Sequence, residues 1–586
     1  MSAPAERAFP LRRALLVWLA LCALMLLAKF SAILAHKFPD PDDTLRLVQV
    51  RDLLAGQGWF DLHQYRIDPP HGTLMHWSRL VDLPILAVIA LVRPLAGTSA
   101  AEMAALIAVP LLTLGVILAV VARISSRFFD IESTTFACLT LGLAPMLVAQ
   151  IQPMRIDHHG WQVASVMVAL LGLLPGRGWR GAILAGSALA FGVSISLELL
   201  PLIAAFGAVF ALRWLVSRDS KSLPAFVATL AAGAATLFLA TRGFADLAEH
   251  CDEVSPAHLA LLSVAAGATA LVAKLQPQRP WFIVAGLGAC GAIALVVFLT
   301  LAPQCAAGPF ANLDPLVRRM WYDNVQEGLP VWEWKLALSL PVVFGGLAAL
   351  AALVHLGRTR PVAERGWWIE YLVVMAFAFV AAALVGRSQS FVGALSAVPL
   401  GWLSLRLLER FRNAPTAWRR LASGVIVVLV LLPSFPAAVA DALTPANHSP
   451  AANTRTVAES ACDFDRSVPR LDTLPAATVF APLDVGPSII QLSHHSVVAT
   501  GHHRAALAIH DVIEAFISSP DRAHQLVSAH HADYVMLCTD LAEPFVFKRE
   551  NPNGFAAQLE AGGAPAWLRP IEIGQPPQLK LWRVVS

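Results

Sequence analysis

Leu83-Pro84-Ile85-Leu86-Ala87-Val88-Ile89-Ala90-Leu91-Val92-Arg93-Pro94-Leu95-Ala96-Gly97 is the stretch on which the threading of this chain turns. It is apolar but about 15 residues long, short of the roughly 20 that a helix needs to cross hydrocarbon at about 1.5 Å per residue. Pro84 stands near its start and Arg93-Pro94 near its end. Taken as interfacial or re-entrant, it leaves three acidic motifs on one side of a membrane. Taken as a crossing, it moves Asp157 to the other side and inverts the arginine pattern. The first reading is adopted here.

The surrounding composition demands a membrane. Of 586 residues, 57% are hydrophobic and 14% charged, whereas a soluble chain carries roughly 25% charged residues. Apolar spans recur at about 14–36, 104–122, 134–152, 161–175, 181–197, 199–216, 224–241, 257–273, 281–301, 336–356, 367–385, 391–408 and 421–440, thirteen crossings in all. Alternate loops hold the cations: Arg123 and Arg127, Arg177 and Arg180, Arg218 and Lys221, Lys274 and Arg279, Arg358 to Arg365, and Arg410 to Arg420. The positive-inside rule places these in the cytoplasm. The basic N-terminus (Arg7, Arg12, Arg13) then starts in the cytoplasm and runs into an uncleaved first helix. A net charge of +3 is too small to suggest nucleic-acid binding. The composition, rich in alanine, leucine and arginine, suits a bacterial inner membrane.

On the outer side lie a long first loop, about 37–103, and a polar tail. Loops of that length are usually functional. This one contains a candidate amphipathic helix, Thr44 to Leu54, with Leu45, Val48 and Leu53 turned to lipid. After residue 441 the character changes, with β-type runs at Ala477–Phe480 and Tyr534–Leu537 and a helical stretch near Leu507–Ser518. The expected organisation is a transmembrane domain over 1–440 and a periplasmic α/β domain over 441–586. Cys22, Cys138 and Cys290 fall in spans and read as small core residues. Cys251, Cys305, Cys462 and Cys538 fall outside, where pairing is permitted. Sequence does not fix connectivity; the pairs guessed are Cys251–Cys305 and Cys462–Cys538.

Three motifs at span ends carry the chemistry: Phe38-Pro39-Asp40-Pro41-Asp42-Asp43, Arg155-Ile156-Asp157-His158-His159 and Asn324-Val325-Gln326-Glu327. Ionisable groups there are costly unless used. Hard cations want oxygen ligands, and magnesium or manganese sites keep few carboxylates so that a phosphate can complete the shell. Asp40, Asp157, His159 and Glu327 supply such a set. Each motif also has a plainer reading. Asp40, Asp42 and Asp43 are what a helix N-terminus before Thr44 would carry. Asp157 to His159 could be an interfacial turn, and Glu327 a solvated loop acid. Four histidines of the tail, His494, His495, His502 and His503, lack the nearby cysteines or carboxylates of a zinc site and read as surface residues.

Together these motifs resemble those of oligosaccharyltransferase catalytic subunits. Asp40-Pro41 with Arg46 is similar to the first outer-loop motif of that family. Pro69-Pro70-His71-Gly72-Thr73-Leu74-Met75-His76-Trp77 resembles a later stretch of the same loop. Asp157-His158-His159 resembles the Asp-His-His form of archaeal members, and Asn324 to Glu327 their Ser-Val-x-Glu loop. Arg387 precedes a span as the family's lipid-phosphate arginine does. The resemblance implies a polytopic α-helical membrane protein of about thirteen helices, GT-C type of the first class, with a C-terminal extracytoplasmic α/β domain. One motif departs. Where the family has Trp-Trp-Asp-x-Gly, this chain has Ala481-Pro482-Leu483-Asp484-Val485-Gly486, which leaves the acceptor open; Asp484 and Gly486 read more simply as a turn.

The resemblance further implies an inverting, metal-dependent glycosyltransferase with a polyprenyl-phosphate-linked sugar donor and an extracytoplasmic acceptor, whether glycolipid, polysaccharide or protein. A divalent cation, Mn2+ or Mg2+, would sit on Asp157, His159 and Glu327, with Asp40 as a further ligand or as general base and Asp42 as a second candidate base. Arg387 would hold phosphate, and His76 and Trp77 would shape the donor pocket; Trp77 could equally anchor the interface. The alternatives are an oligosaccharyltransferase with altered acceptor recognition, and a transporter, flippase or non-catalytic scaffold. Transport is disfavoured by the scarcity of ionisable residues within the spans, Glu198 and Glu370 being exceptions near span ends.

Overall fold

The computed structural model describes residues 10–585 except 312, 335, 433–434, 436–437, 440–441 and 443–454. Most of the chain before 432 is helix. The first, Leu11–Leu34, buries only Val17, Leu21, Cys22 and Met25, while Leu15, Leu16, Leu19, Leu24 and Leu27 remain on the outside. In water such a face would forfeit about 25 cal/mol per Å2 of apolar surface; against hydrocarbon it costs nothing. Leu295, Val296, Phe344 and Val380 repeat the pattern on later helices. This is a polytopic membrane protein.

Among the described residues nine helices are long and apolar enough to cross, or ten if a bent pair counts as one span. That pair, Ile131–Leu143 with Pro145–Ile151, is broken by 75° where one span was expected, because Pro145 cannot continue the first helix. His159–Gly172 and Gly178–Val193 are helices of 14 and 16 residues, short for full spans. The expected last span, 421–440, and the boundary at 440/441 lie partly outside the described residues. The stretch 83–97 is helical and runs from Arg79 into the helix ending at Phe128, with a break at Gly97. There φ is +82°, a conformation glycine adopts without strain. Before the break Val81, Ile85 and Ile89 are buried and Leu83, Leu91 and Leu95 exposed, so one face packs on protein as far as Ile89 and the rest of the segment does not.

Buried faces of the helices between 159 and 412 meet in one apolar core around Trp368, Tyr371, Phe206 and Phe226. The C-terminal part is a five-stranded sheet: β1 Thr478–Phe480, β2 Ser496–Val497, β3 Tyr534–Cys538, β4 Leu568–Pro570 and β5 Leu579–Val584. The order is β2-β1-β3-β5-β4, parallel across the first three and antiparallel at β5. The expected strands at 477–480 and 534–537 and the helix, here Ala506–Ile517, fall where sequence placed them.

The long first loop docks on this sheet. Ile67 bridges Val497 on β2, with Asp68 N–H to Val497 O at 3.0 Å and Val497 N–H to Arg66 O at 2.9 Å. Leu45 and Val48 of the Pro41–Leu54 helix are buried in the sheet's core beside Met75, Trp77 and Ile489. The expectation that this face turns to lipid is therefore corrected: its apolar stripe covers protein. Cys251–Cys305 and Cys462–Cys538 form disulfides as guessed, and Cys22, Cys138 and Cys290 are free and buried.

Candidate functional site

The three acidic motifs come together. Asp40 caps the Pro41–Leu54 helix, Oδ1 accepting the Asp42 N–H at 2.9 Å. Its other oxygen lies 3.0 Å from Arg155 Nη1. The capping role and the site role thus fall on two oxygens of one carboxylate. Asp43 is fully buried and holds the second motif in place. Its Oδ1 accepts from the N–H groups of Ile156 and Asp157 at 2.8 and 3.0 Å, and its Oδ2 pairs with Arg155 at 3.1 Å. Arg155 reaches onward to Asp157 at 3.5 Å and Glu327 at 3.9 Å.

His159 sits on the far side of Asp157. Its Nε2 is 3.4 Å from Asp157 Oδ2 and 3.9 Å from Glu327 Oε2, and its Nδ1 is 3.6 Å from Glu198. His158 Nδ1 is 2.5 Å from Asp157 Oδ1. Glu198 in turn accepts from Arg387 at 2.7 Å. The Glu327 turn and the Arg387 turn are fixed to one another, since Gly386 N–H donates to Leu329 O at 3.0 Å. A Cβ at Gly386 would fall 2.1 Å from the Trp334 indole, so this close approach requires glycine.

The charge balance is lopsided. Asp40, Asp42, Asp43, Asp157, Glu198 and Glu327 meet two guanidiniums, Arg155 and Arg387. Burial first, then Asp40 and Asp157, pushes Asp42 well above the usual carboxylate range. Burial opposes the Asp157 charge too, yet His158, His159 and Arg155 hold its carboxyl well below that range. Asp157 Oδ2 is buried and has no hydrogen-bond partner among the described residues. It is held only by ion pairs, 3.5 Å from Arg155 and 3.4 Å from His159, and a buried charge without a hydrogen bond is costly. With His159 Nε2 and Glu327 Oε2 beside it, that oxygen belongs to an oxygen-and-imidazole set that fits a divalent cation; Asp157, His158 and His159 also offer a compact group.

Sequence reasoning passed over Arg155, Asp43 and Glu198 as site residues. Arg155 and Asp43 stood inside quoted motifs, but a search for ligands gives no role to an arginine or to the inner face of a cap. The signal for Glu198 was its place at a span end. His76 and Trp77, expected at the donor pocket, lie instead where the first loop meets the C-terminal sheet. Trp77 is buried beneath the Arg46 guanidinium at 4.7 Å, and His76 Nδ1 is 2.9 Å from His502 Nε2. At Ala481–Gly486, the N–H groups of Leu483 and Asp484 donate to Glu543 at 3.1 and 2.7 Å. Gly486 opens the helix that packs under the first loop, and a Cβ there would meet Ala499 O at 2.6 Å.

Among solved structures the chain is similar to the archaeal oligosaccharyltransferase AglB from Archaeoglobus fulgidus in complex with an inhibitory peptide and a dolichol-phosphate. The TM-score is 0.67 at 13% identity, covering 93% of this chain and 72% of that one. The Archaeoglobus fulgidus oligosaccharyltransferase tethered with an acceptor peptide containing the NVT sequon gives 0.65 at 14% identity, covering 94% and 72%. Its complex with Zn and sulfate gives 0.59 at 14%, covering 88% and 66%. This is a GT-C fold. No family model matches the chain, and no curated protein matches it by sequence. At such identities the GT-C likeness speaks for architecture, and the chemistry has to be argued from the residues above.

Proposed function

We propose that this chain is a membrane glycosyltransferase that moves a sugar or glycan from a polyprenyl-phosphate-linked donor to an extracytoplasmic acceptor. The observation that carries the reading is the convergence of Asp157, His159 and Glu327 at a buried carboxylate oxygen that no hydrogen bond satisfies among the described residues, with Asp40 across Arg155 and Arg387 held by Glu198. That the fold neighbour was captured with a dolichol-phosphate supports the donor class. In this reading residues 1–440 form the catalytic membrane domain and 441–586 a periplasmic domain, with the N-terminus cytoplasmic, in a bacterial inner membrane.

Asp157, His159 and Glu327 would hold the cation, with Asp40 behind Arg155 as a further ligand. When bound, a manganese or magnesium ion supplies charge stabilisation for the departing phosphate. Arg387, positioned by Glu198, binds the same phosphate as a fixed guanidinium. Asp40 or Asp42 accepts the acceptor's proton as its oxygen or nitrogen bonds to the anomeric carbon. The glycosyl–phosphate bond breaks and its electron pair leaves with phosphate. With no dedicated nucleophile, attack is direct and inverts the anomeric centre. An amide acceptor is the second reading, favoured by the neighbour's sequon peptide. Against it, Ala481 to Gly486 has neither tryptophan of the motif that would read a sequon.

The test is sugar release from native lipid-linked donors by purified protein, with manganese or magnesium and then with chelator. We expect metal-dependent turnover that is lost in Asp157→Ala and Glu327→Ala. Turnover undiminished in both variants refutes the metal-site reading.

A further inference from the structure

Two of the tail histidines have a partner that sequence spacing concealed. His503 Nε2 lies 2.7 Å from Asp252 Oδ2, a residue 251 positions earlier. The ring of His76, from the first loop, stands 4.9 Å from the rings of both His502 and His503. One ligand atom from each of His76, Asp252 and His503 falls within 4.8 Å of the others. The three residues come from the first loop, the disulfide-bearing loop at Cys251 and the segment after β2. His494 and His495 are tied more locally: they bond to the carbonyls of Leu474 and Leu471, and His494 Nδ1 lies 3.0 Å from Asp472, so this group joins no distant segments.

We propose that His76, Asp252 and His503 form a second divalent-metal site, suited to zinc and separate from the Asp157 cluster. The residue types fit. Two imidazoles and a carboxylate make a borderline donor set, and the ligands have to close on an ion about 2.0–2.1 Å from each nitrogen. The surroundings supply the outer partners such sites have. His76 Nδ1 faces His502 Nε2 at 2.9 Å, which leaves His76 Nε2 for the ion. Arg504 holds Asp252 Oδ1 at 2.7 Å and Glu253 at 2.7 Å, and Arg242 joins Glu253 from below. Arg504 also touches Asp252 Oδ2 at 2.9 Å and would give up that contact on metal binding. His502 is buried, and its Nδ1 has no partner among the described residues; such a tension is tolerable if an ion on His76 strengthens the bond on the other side of the ring. An ion here would staple three distant segments at the junction of the membrane part and the sheet. The site does not depend on the glycosyltransferase reading.

The experiment uses full-length protein in detergent carrying Asp157→Ala and Glu327→Ala, so that the first cluster no longer ligates. After chelator treatment and dialysis, zinc is titrated by calorimetry and bound metal is counted by mass spectrometry. We expect about one equivalent of zinc per chain. Adding His503→Ala and Asp252→Asn should abolish it, whereas His502→Gln should keep the stoichiometry and weaken affinity about 10–100-fold. Cobalt in the same background should show a tetrahedral visible spectrum without thiolate charge transfer, a readout that requires no variant of the new site. Absence of zinc binding, an unchanged equivalent in the His503→Ala, Asp252→Asn protein, or a thiolate signature overturns the proposal.

Discussion

The Pro41–Leu54 helix feeds two buried charge clusters, and they are built on opposite principles. At its start, Asp40 and Asp43 meet Arg155, Asp157 and Glu327: carboxylates outnumber cations, and one buried carboxylate oxygen is held by ion pairs alone. One turn on, Arg46 and Gln49 meet Asp82, which also binds Arg79. Here cations outnumber the carboxylate. All three charged side chains are sealed from solvent, and both Asp82 oxygens are occupied. Arg79 continues to the carbonyls of Trp59 and Asp61 at 3.1 and 2.6 Å, and Arg46 covers Trp77. The second cluster ties the loop together from within. The first stays partly open, with Asp40 and Glu327 about one-third exposed at 31% and 34%. Excess negative charge with access is what a cation or a phosphate-bound ion requires; a closed network offers no such place. Arg46, which sequence resemblance set beside Asp40 as one motif, belongs to the closed cluster.

The largest effect should come from the closed cluster. Asp82→Asn keeps the shape but strips two buried guanidiniums of their counter-charge. Removing one partner of a buried pair costs about 3–5 kcal/mol. We expect a steep fall in the thermal midpoint, or loss of monodisperse protein, and an unchanged midpoint would show that Asp82 is not the counter-charge. The open cluster should respond differently. Asp157→Asn removes a buried charge that His158, His159 and Arg155 favour, so some stability should be lost, but less than in Asp82→Asn because Arg155 keeps Asp40, Asp43 and Glu327 as counter-charges. Turnover should drop by about 10²–10³-fold, the scale of losing one preorganised electrostatic group. If Asp157→Asn unfolds the protein while retaining specific activity, the assignment of the two clusters is reversed.

The difference between the clusters also explains what could be read from sequence. Asp40, Asp157, His159 and Glu327 were legible because acids and a histidine at span ends violate the local preference for apolar residues. Arg155 was not, because its partners Asp40 and Asp43 stand more than 100 positions away and an arginine in a polar turn violates nothing; its separation from Asp43 is 112. The Leu45–Val48 stripe was legible as amphipathic, but lipid and a protein core are equally apolar, so its partner was not. His76 sits 426 positions from His502, and no periodicity links a loop to a sheet. The long helices were readable from hydropathy. The short and broken ones were not, since Pro145 and the tight turns between 172 and 199 shorten spans without changing their composition.

A third arrangement sharpens the comparison, with carboxylates and no cation. Glu543 accepts the Leu483 and Asp484 N–H groups, and the Asp484 carboxyl feels the charges of both Glu543 and Asp40. Burial, then Asp40, pushes Asp484 up to about 6. The folded chain thus keeps a proton that the unfolded chain releases near pH 3.9. Stability from this group is complete below the unfolded value and is lost as pH rises through about 6. Asp484→Asn should remove that loss. Between pH 5 and 7.5 the fall in unfolding free energy should be smaller than in wild type by about 1–2 kcal/mol, the scale of a shift of one to two pKa units. Unfolding in detergent at the two pH values measures it. An unaltered slope would mean that Asp484 is solvated and does not face the cluster, and its place as the surviving acid of the acceptor motif would lose its structural support.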